Sequence, residues 1–93
     1  MILSFRCAET EALYREGRSR KVPSTIQHVS RRKLRQLDMA GRLDDLRVPP
    51  GNRLEALGGD RKGRHSIRIN DQFRLCFVWT DRGATEVEIV DYH

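Results

Sequence analysis

His65-Ser66-Ile67-Arg68-Ile69-Asn70-Asp71-Gln72-Phe73-Arg74-Leu75-Cys76-Phe77-Val78-Trp79 decides the fold. Two runs rich in β-branched and aromatic residues flank Asn70-Asp71-Gln72, a polar turn segment. Side chains alternate faces along a strand. Phe73, Leu75, Phe77 and Trp79 share one parity and should face a core, leaving Arg74, Cys76 and Val78 on the other side. Ile67 and Ile69 belong to the core, with His65 at its edge, while Ser66 and Arg68 point away. A two-residue loop would set Ile67 against Arg74; a three-residue loop sets Ile67 against Leu75 and Ile69 against Phe73. A slip of one residue inverts every side chain, so the hydrophobic pattern selects the longer loop.

That register puts Arg68 directly opposite Arg74 on the non-core face. Like charges facing each other across strands destabilise the pair. The arginines need an anion, open water or an acidic neighbour such as Glu88 of the last strand. In that strand Val87 and Ile89 read as core, and Glu86, Glu88, Val90 and Tyr92 take the opposite parity. Tyr92 thus joins the face of Arg68 and Arg74, and near the chain end Asp91 and His93 can turn toward it.

Outward from this hairpin, a strand over residues 86–92 follows the turn Thr80-Asp81-Arg82-Gly83, and short turns imply antiparallel neighbours. Residues 53–57 predict a short strand, followed by the turn Gly58-Gly59-Asp60-Arg61-Lys62-Gly63. Pro49-Pro50-Gly51 reads as loop. The first half reads as helix: Ala8 to Glu16, with Ala8, Ala12 and Leu13 on one side and Gly17 as the stop. A second helix runs from Ser24 to about Asp38, with Ser24 and Gln27 in the positions of a capping box. Ile26, Val29, Leu34 and Leu37 form its apolar stripe, and Arg31, Arg32 and Arg35 project elsewhere. Ile2 to Phe5 could add an edge strand. Helices first and a meander afterwards predict an α+β fold. A chain of 93 residues fits one domain, helical over about 1–48 and sheet over about 53–93.

Composition narrows the partners. The net charge of +5 favours polyanions without specifying which one. No apolar stretch approaches a membrane span, and the N-terminus has no secretory pattern. Cys7 and Cys76 read as reduced thiols of a cytoplasmic protein, and three widely spaced histidines make no metal cluster, so neither metal nor cofactor is expected. The segment 58–63 lacks the spacing of a nucleotide-binding P-loop, although Arg61 and Lys62 could contact RNA phosphate. RNA cleavage needs a deprotonated 2′-hydroxyl, a stabilised phosphorane and a protonated leaving oxygen. Arginine can clamp the phosphate, and histidine, a carboxylate or tyrosine can move the protons.

The runs Pro49-Pro50-Gly51-Asn52-Arg53-Leu54-Glu55-Ala56-Leu57, Gly59-Asp60-Arg61-Lys62-Gly63, Ser66 to Phe77 and Val87-Glu88-Ile89-Val90-Asp91-Tyr92-His93 together resemble HigB toxins of the plasmid-maintenance killer group. The resemblance is strong over 49–93 and looser over the helices. It implies a RelE-like fold, with two N-terminal helices on a twisted antiparallel sheet. It also implies ribosome-dependent, metal-independent mRNA cleavage in the A site. The partner implied is a HigA-type helix-turn-helix antitoxin, through which alone operator DNA would be bound. By the same resemblance Arg74 holds the scissile phosphate, Asp91, Tyr92 and His93 form the catalytic C-terminal group, and Arg68 and Asn70 contribute to RNA binding. One departure stands out. Some relatives carry His and Lys in a Leu-His-Pro-Leu-Lys-Gly segment, where this chain has Glu55 and Gly58. Glu55 or His93 would then carry the base role, with Arg61 or Lys62 supplying positive charge. A non-catalytic RNA- or ribosome-binding regulator is the alternative reading.

Overall fold

The computed structural model describes residues 1–92. Helix α1 spans Ala8–Glu16 and helix α2 spans Ser24–Met39. Strands β1 (Glu55–Ala56), β2 (His65–Arg68), β3 (Phe73–Thr80) and β4 (Gly83–Asp91) form an antiparallel sheet in the order β1-β2-β3-β4. Short 3-10 turns at Leu43–Arg47, Pro50–Asn52 and Gly59–Arg61 connect them. The expected α+β arrangement, helices on an antiparallel sheet, is the one observed.

Hydrocarbon glues the two layers. Leu13 of α1 and Ile26, Leu34 and Leu37 of α2 are buried against Ile67, Leu75, Phe77 and Val87 of the sheet. Full burial of one such side chain contributes about 1.5–3 kcal/mol, so this cluster is the main source of stability. Trp79 is only partly buried and meets Phe77 edge-on. His65, at the core edge, stacks on Phe77 with centroids 6.3 Å apart. The register of the central hairpin is the one the hydrophobic pattern selects: Ile67 opposes Leu75 and Arg68 opposes Arg74. Asn70 closes the loop, its Oδ1 accepting from the N–H groups of Gln72 (2.9 Å) and Phe73 (2.7 Å).

Four local expectations are corrected. Ser24 makes no capping hydrogen bond; Pro23 holds the N-cap position. Gln27 instead donates from Nε2 to the carbonyls of Ser19 and Val22, tying the preceding loop to α2. On α1 the buried residues are Thr10 and Leu13 rather than the alanines. The Thr10 hydroxyl accepts from the Ile89 N–H at 3.1 Å, so a polar contact anchors α1 to β4. Residues 2–5 make two isolated parallel bridges, Ile2 to Ala84 and Phe5 to Val87, instead of a strand. Finally, β4 begins at Gly83, three residues earlier than expected. A bulge between Cys76 and Val78, with Glu86 at φ 51°, absorbs the offset and restores the expected parity from Val87 onward. Gly83 itself is at φ 139°, and a Cβ there would collide with the Met1 carbonyl. That carbonyl receives the Ala84 N–H at 2.9 Å, so close backbone approach requires glycine.

Candidate RNA-cleavage site

The sheet face turned away from the helices is built around Arg74. Its Nε donates to Ser66 Oγ at 2.7 Å, its Nη2 to the Arg53 carbonyl at 2.6 Å, and its Nη1 lies 3.1 Å from Glu55 Oε1. The local fold explains each partner. Ser66 sits beside Arg74 because β2 pairs with β3, and Glu55 arrives because β1 pairs it with Ser66. Arg53 occupies the left-handed region at φ 45°, ψ 57°, which strains a non-glycine residue by about 1 kcal/mol. The strained residue is the one whose carbonyl meets the guanidinium. Nη1 and Nη2 each carry a second hydrogen, so two donors remain for a ligand. The arginine side chain is 11% exposed and the glutamate 53%, so Glu55 can swing away while Arg74 stays fixed.

The Arg68–Arg74 opposition is resolved locally. Arg68 pairs with Asp71 of the turn and Arg74 with Glu55. Glu88, one of the alternatives the sequence left open, does not serve them. Facing Cys76 across the strands, it pairs with Arg6 at 3.6 Å.

Tyr92 lies on the same face, as its parity requires. Its hydroxyl is 3.8 Å from Cys76 Sγ and accepts from Arg61 Nη1 at 3.3 Å, and the Arg61 guanidinium sits 5.4 Å from the ring centroid. Because Cys76 is the cross-strand partner of Ser66, the Arg74 and Tyr92 clusters adjoin. Burial and the contact with Cys76 push the Tyr92 phenol above its ordinary pKa despite Arg61 nearby. Burial likewise pushes the Cys76 thiol up. Tyr92 is therefore a neutral phenol at physiological pH, suited to donating a proton or stacking rather than to removing one.

The other expected residues are more scattered. Asp91 lies opposite Phe73 at the sheet edge, and Gln72 Nε2 donates to its Oδ2 at 3.0 Å. The Asn70 side-chain oxygen is committed to the turn. Lys62 is exposed just past the Gly59–Arg61 turn. His93 lies outside the described residues. The structure thus brings together Arg74, Arg68, Glu55, Tyr92 and Arg61.

Sequence reasoning missed the residues that hold this set in place. Ser66 and the Arg53 carbonyl are two. Behind them Asn52, fully buried, accepts from the Lys33 ammonium and donates to the Leu46 carbonyl at 3.1 Å. Burial lowers the Lys33 pKa, helped by Arg32 and Arg68. Arg64 is a further omission; it pairs with Glu86 at 2.7 Å and leaves Nη1 buried without a partner among the described residues. It lines a cleft of about 230 Å³ with Arg6, Asp60, Arg61 and Glu88, beside Tyr92. The spacing Ile26, Ser30, Lys33, Leu37 was the available signal for Lys33, since it continues the buried stripe of α2.

Comparison with known proteins agrees with this architecture. The family model of the RelE-like toxin of type II toxin-antitoxin system HigB matches residues 3–93. Toxin HigB-1 of Vibrio cholerae serotype O1 is 48% identical over 82 residues, covering 87% of this chain and 86% of the relative. An uncharacterized protein of Haemophilus influenzae is 40% identical over 59 residues, covering 63% of this chain and 58% of that protein. No helix among the described residues is long and apolar enough to cross a membrane. A toxin of this kind implies an antitoxin as its partner. With its helices on a four-stranded antiparallel sheet, this chain belongs to the HigB-like family of RelE-like toxins of type II toxin–antitoxin systems.

Proposed function

We propose that this toxin is a ribosome-dependent endoribonuclease that cleaves mRNA in the A site by attack of a ribose 2′-hydroxyl on the adjacent phosphorus. The observation that carries the reading is the fixed Arg74 guanidinium, held by three protein acceptors with donors to spare. Such a group stabilises the charge of a phosphorane without reorganising, and removing a preorganised donor of this kind typically costs about 10²–10³ in rate. Arg68, across the strand pair, and Arg61 and Lys62 at the turn extend the positive surface along the RNA, with Asn70 beside them.

Glu55 is the base best placed for the 2′-hydroxyl. It already sits on Arg74, and a phosphate arriving at Nη1 would displace its oxygen toward the neighbouring ribose. The proton leaves the 2′-oxygen, the P–O5′ bond breaks, and a 2′,3′-cyclic phosphate and a 5′-hydroxyl result. Tyr92, neutral and held by Arg61, can donate to the leaving oxygen or stack on a base. Asp91 and His93 complete the terminal group. In this reading side chains perform every step, without metal or cofactor. The partner is a HigA-type helix-turn-helix antitoxin in the cytoplasm, and operator DNA is engaged through it alone.

The test is to translate a defined mRNA in vitro and map the new ends. Cleavage should occur only on ribosomes, give a cyclic phosphate, and stop when the attacking nucleotide is 2′-deoxy. Cleavage of the deoxy substrate at the same rate would rule out the attack proposed. The Glu55–Arg74 pair also favours a second reading, because the arginine is already neutralised: a non-catalytic ribosome- or RNA-binding regulator. Deletion of residues 91–93 separates the two, since toxicity by occlusion alone would survive it.

A further inference from the structure

The net positive charge of this molecule does not come from the part of the chain that forms the strands. Residues 53–93 contain seven Lys/Arg and seven Asp/Glu, a balance of zero. Residues 1–52 contain eleven and six, so the whole net charge of +5 lies in the helical half. Within it, residues 17–37 hold seven cations and no carboxylate.

Ion pairing separates the arginines that surround the cleavage face from a cluster in residues 18–35. On the strand face Arg64, Arg68 and Arg74 each have a carboxylate partner. In the helical layer Arg18, Arg20, Arg31, Arg32 and Arg35 make no ion pair among the described residues. Two of them meet α1 in a cleft of about 370 Å³ lined by Tyr14, Arg15, Arg31 and Arg35. Arg31 lies across the end of α1, where a Cβ on Gly17 would sit 3.5 Å from its Cζ. Its Nε is buried with no hydrogen-bond partner among the described residues. Arg15 is balanced by Glu11 at 2.8 Å, and the nearby Asp38 carboxylate is occupied by the Tyr14 hydroxyl and the Ile2 N–H. The cleft is therefore lined by two guanidinium groups, Arg31 and Arg35, that have no carboxylate partner among the described residues.

We propose that the helical layer, centred on the Tyr14–Arg15–Arg31–Arg35 cleft, is a second RNA-binding surface that grips the phosphate backbone of structured RNA, on the opposite side of the molecule from the cleavage site. Two physical arguments favour RNA. Residues 53–93 carry no net charge, so the net field that draws the toxin to a polyanion comes from residues 1–52. Unpaired arginines spread over two helices and the loop between them suit the repeating anions of a phosphate backbone, each contact releasing counterions. The proposal builds on the reading of the chain as an RNA-directed toxin, but its test needs no cleavage.

The probe is a labelled RNA duplex of about two helical turns, with no reading frame. Its affinity for the full chain is measured between about 50 and 200 mM salt, for wild type, Arg31→Gln/Arg35→Gln, Arg31→Lys/Arg35→Lys and Arg18→Gln/Arg20→Gln. Each lost phosphate contact should lower the slope of log affinity against log salt by about one. For either glutamine pair the affinity lost across that salt range should shrink by about tenfold. The lysine pair should keep most of the wild-type slope. Melting curves check that each variant is folded, and the second glutamine pair serves if the first is not. Failure of wild type to bind the duplex, or unchanged slopes in folded glutamine variants, would overturn the proposal. Unchanged RNA binding with lost antitoxin affinity would overturn it in favour of an acidic protein partner. A reduced slope in a protein that never cuts translated mRNA would reject the nuclease reading and leave this surface standing.

Discussion

The strands of this toxin and its second helix treat their arginines in opposite ways. On the sheet, every strand arginine is tied to a carboxylate, and Arg74 is tied to a serine and a backbone carbonyl as well. On α2 and the loop before it, Arg18, Arg20, Arg31, Arg32 and Arg35 have no ion-pair partner among the described residues. Pairing cancels the far field and fixes geometry; leaving charges unpaired preserves the field and leaves geometry loose. The first arrangement suits chemistry on one phosphate, and the second suits attraction to many.

Arg74 is where the fixed geometry of the sheet matters most. Arg74→Lys keeps the charge but cannot reproduce the fork that meets Ser66, Arg53 and Glu55 together. Cleavage of ribosome-bound mRNA should fall by about 10² or more while the melting curve stays close to wild type. An active lysine variant would mean that charge, not geometry, is what the sheet supplies.

The next largest effect is on stability. Asn52→Ala leaves the Lys33 ammonium buried without its acceptor, at a cost of about 3 kcal/mol, visible as a lower denaturation midpoint. Lys33→Met, which removes the charge as well, should recover part of that loss. Gly83→Ala should cost about 1–3 kcal/mol, because the residue must keep its positive φ and still clear the Met1 carbonyl.

The smallest effect concerns pH. Burial raises the phenols of both Tyr92 and Tyr14, the latter also through Asp38. A folded pKa above the unfolded one, about 10 for tyrosine, contributes stability that is present below the unfolded value and lost as pH rises through the folded one. Ultraviolet titration should therefore show both tyrosines ionising later than free tyrosine, with alkaline destabilisation accompanying the change. Early ionisation of Tyr92 would restore it as a candidate base.

These residues also mark what the sequence could reveal. The central hairpin was legible because apolar parity leaves one register, and that register carried the Arg68–Arg74 opposition and the face of Tyr92 with it. The partner of Arg74 was less legible. Glu55 could be singled out from a family segment, but its contact depends on a two-residue strand whose pairing no local pattern announces. Glu88 has the right parity for the arginines, yet Arg6, brought alongside β4 by the N-terminal bridges, takes it. The bulge at Glu86 was invisible because the apolar alternation from Val87 onward is intact on its own and gives no sign of the strand before it. Lys33 stands in a run of cations, and its burial follows from helical phase rather than residue type.

In this toxin the sheet performs the chemistry and the helical half supplies the attraction. Single-turnover cleavage of ribosome-bound mRNA at saturating toxin tests it most directly, comparing wild type, Arg74→Lys and Arg31→Gln/Arg35→Gln. The account predicts a collapsed maximal rate for Arg74→Lys. For the helix variant it predicts an unchanged maximal rate, reached only at higher toxin concentration. An unchanged maximal rate for Arg74→Lys, or a collapsed one for the helix variant, would contradict it.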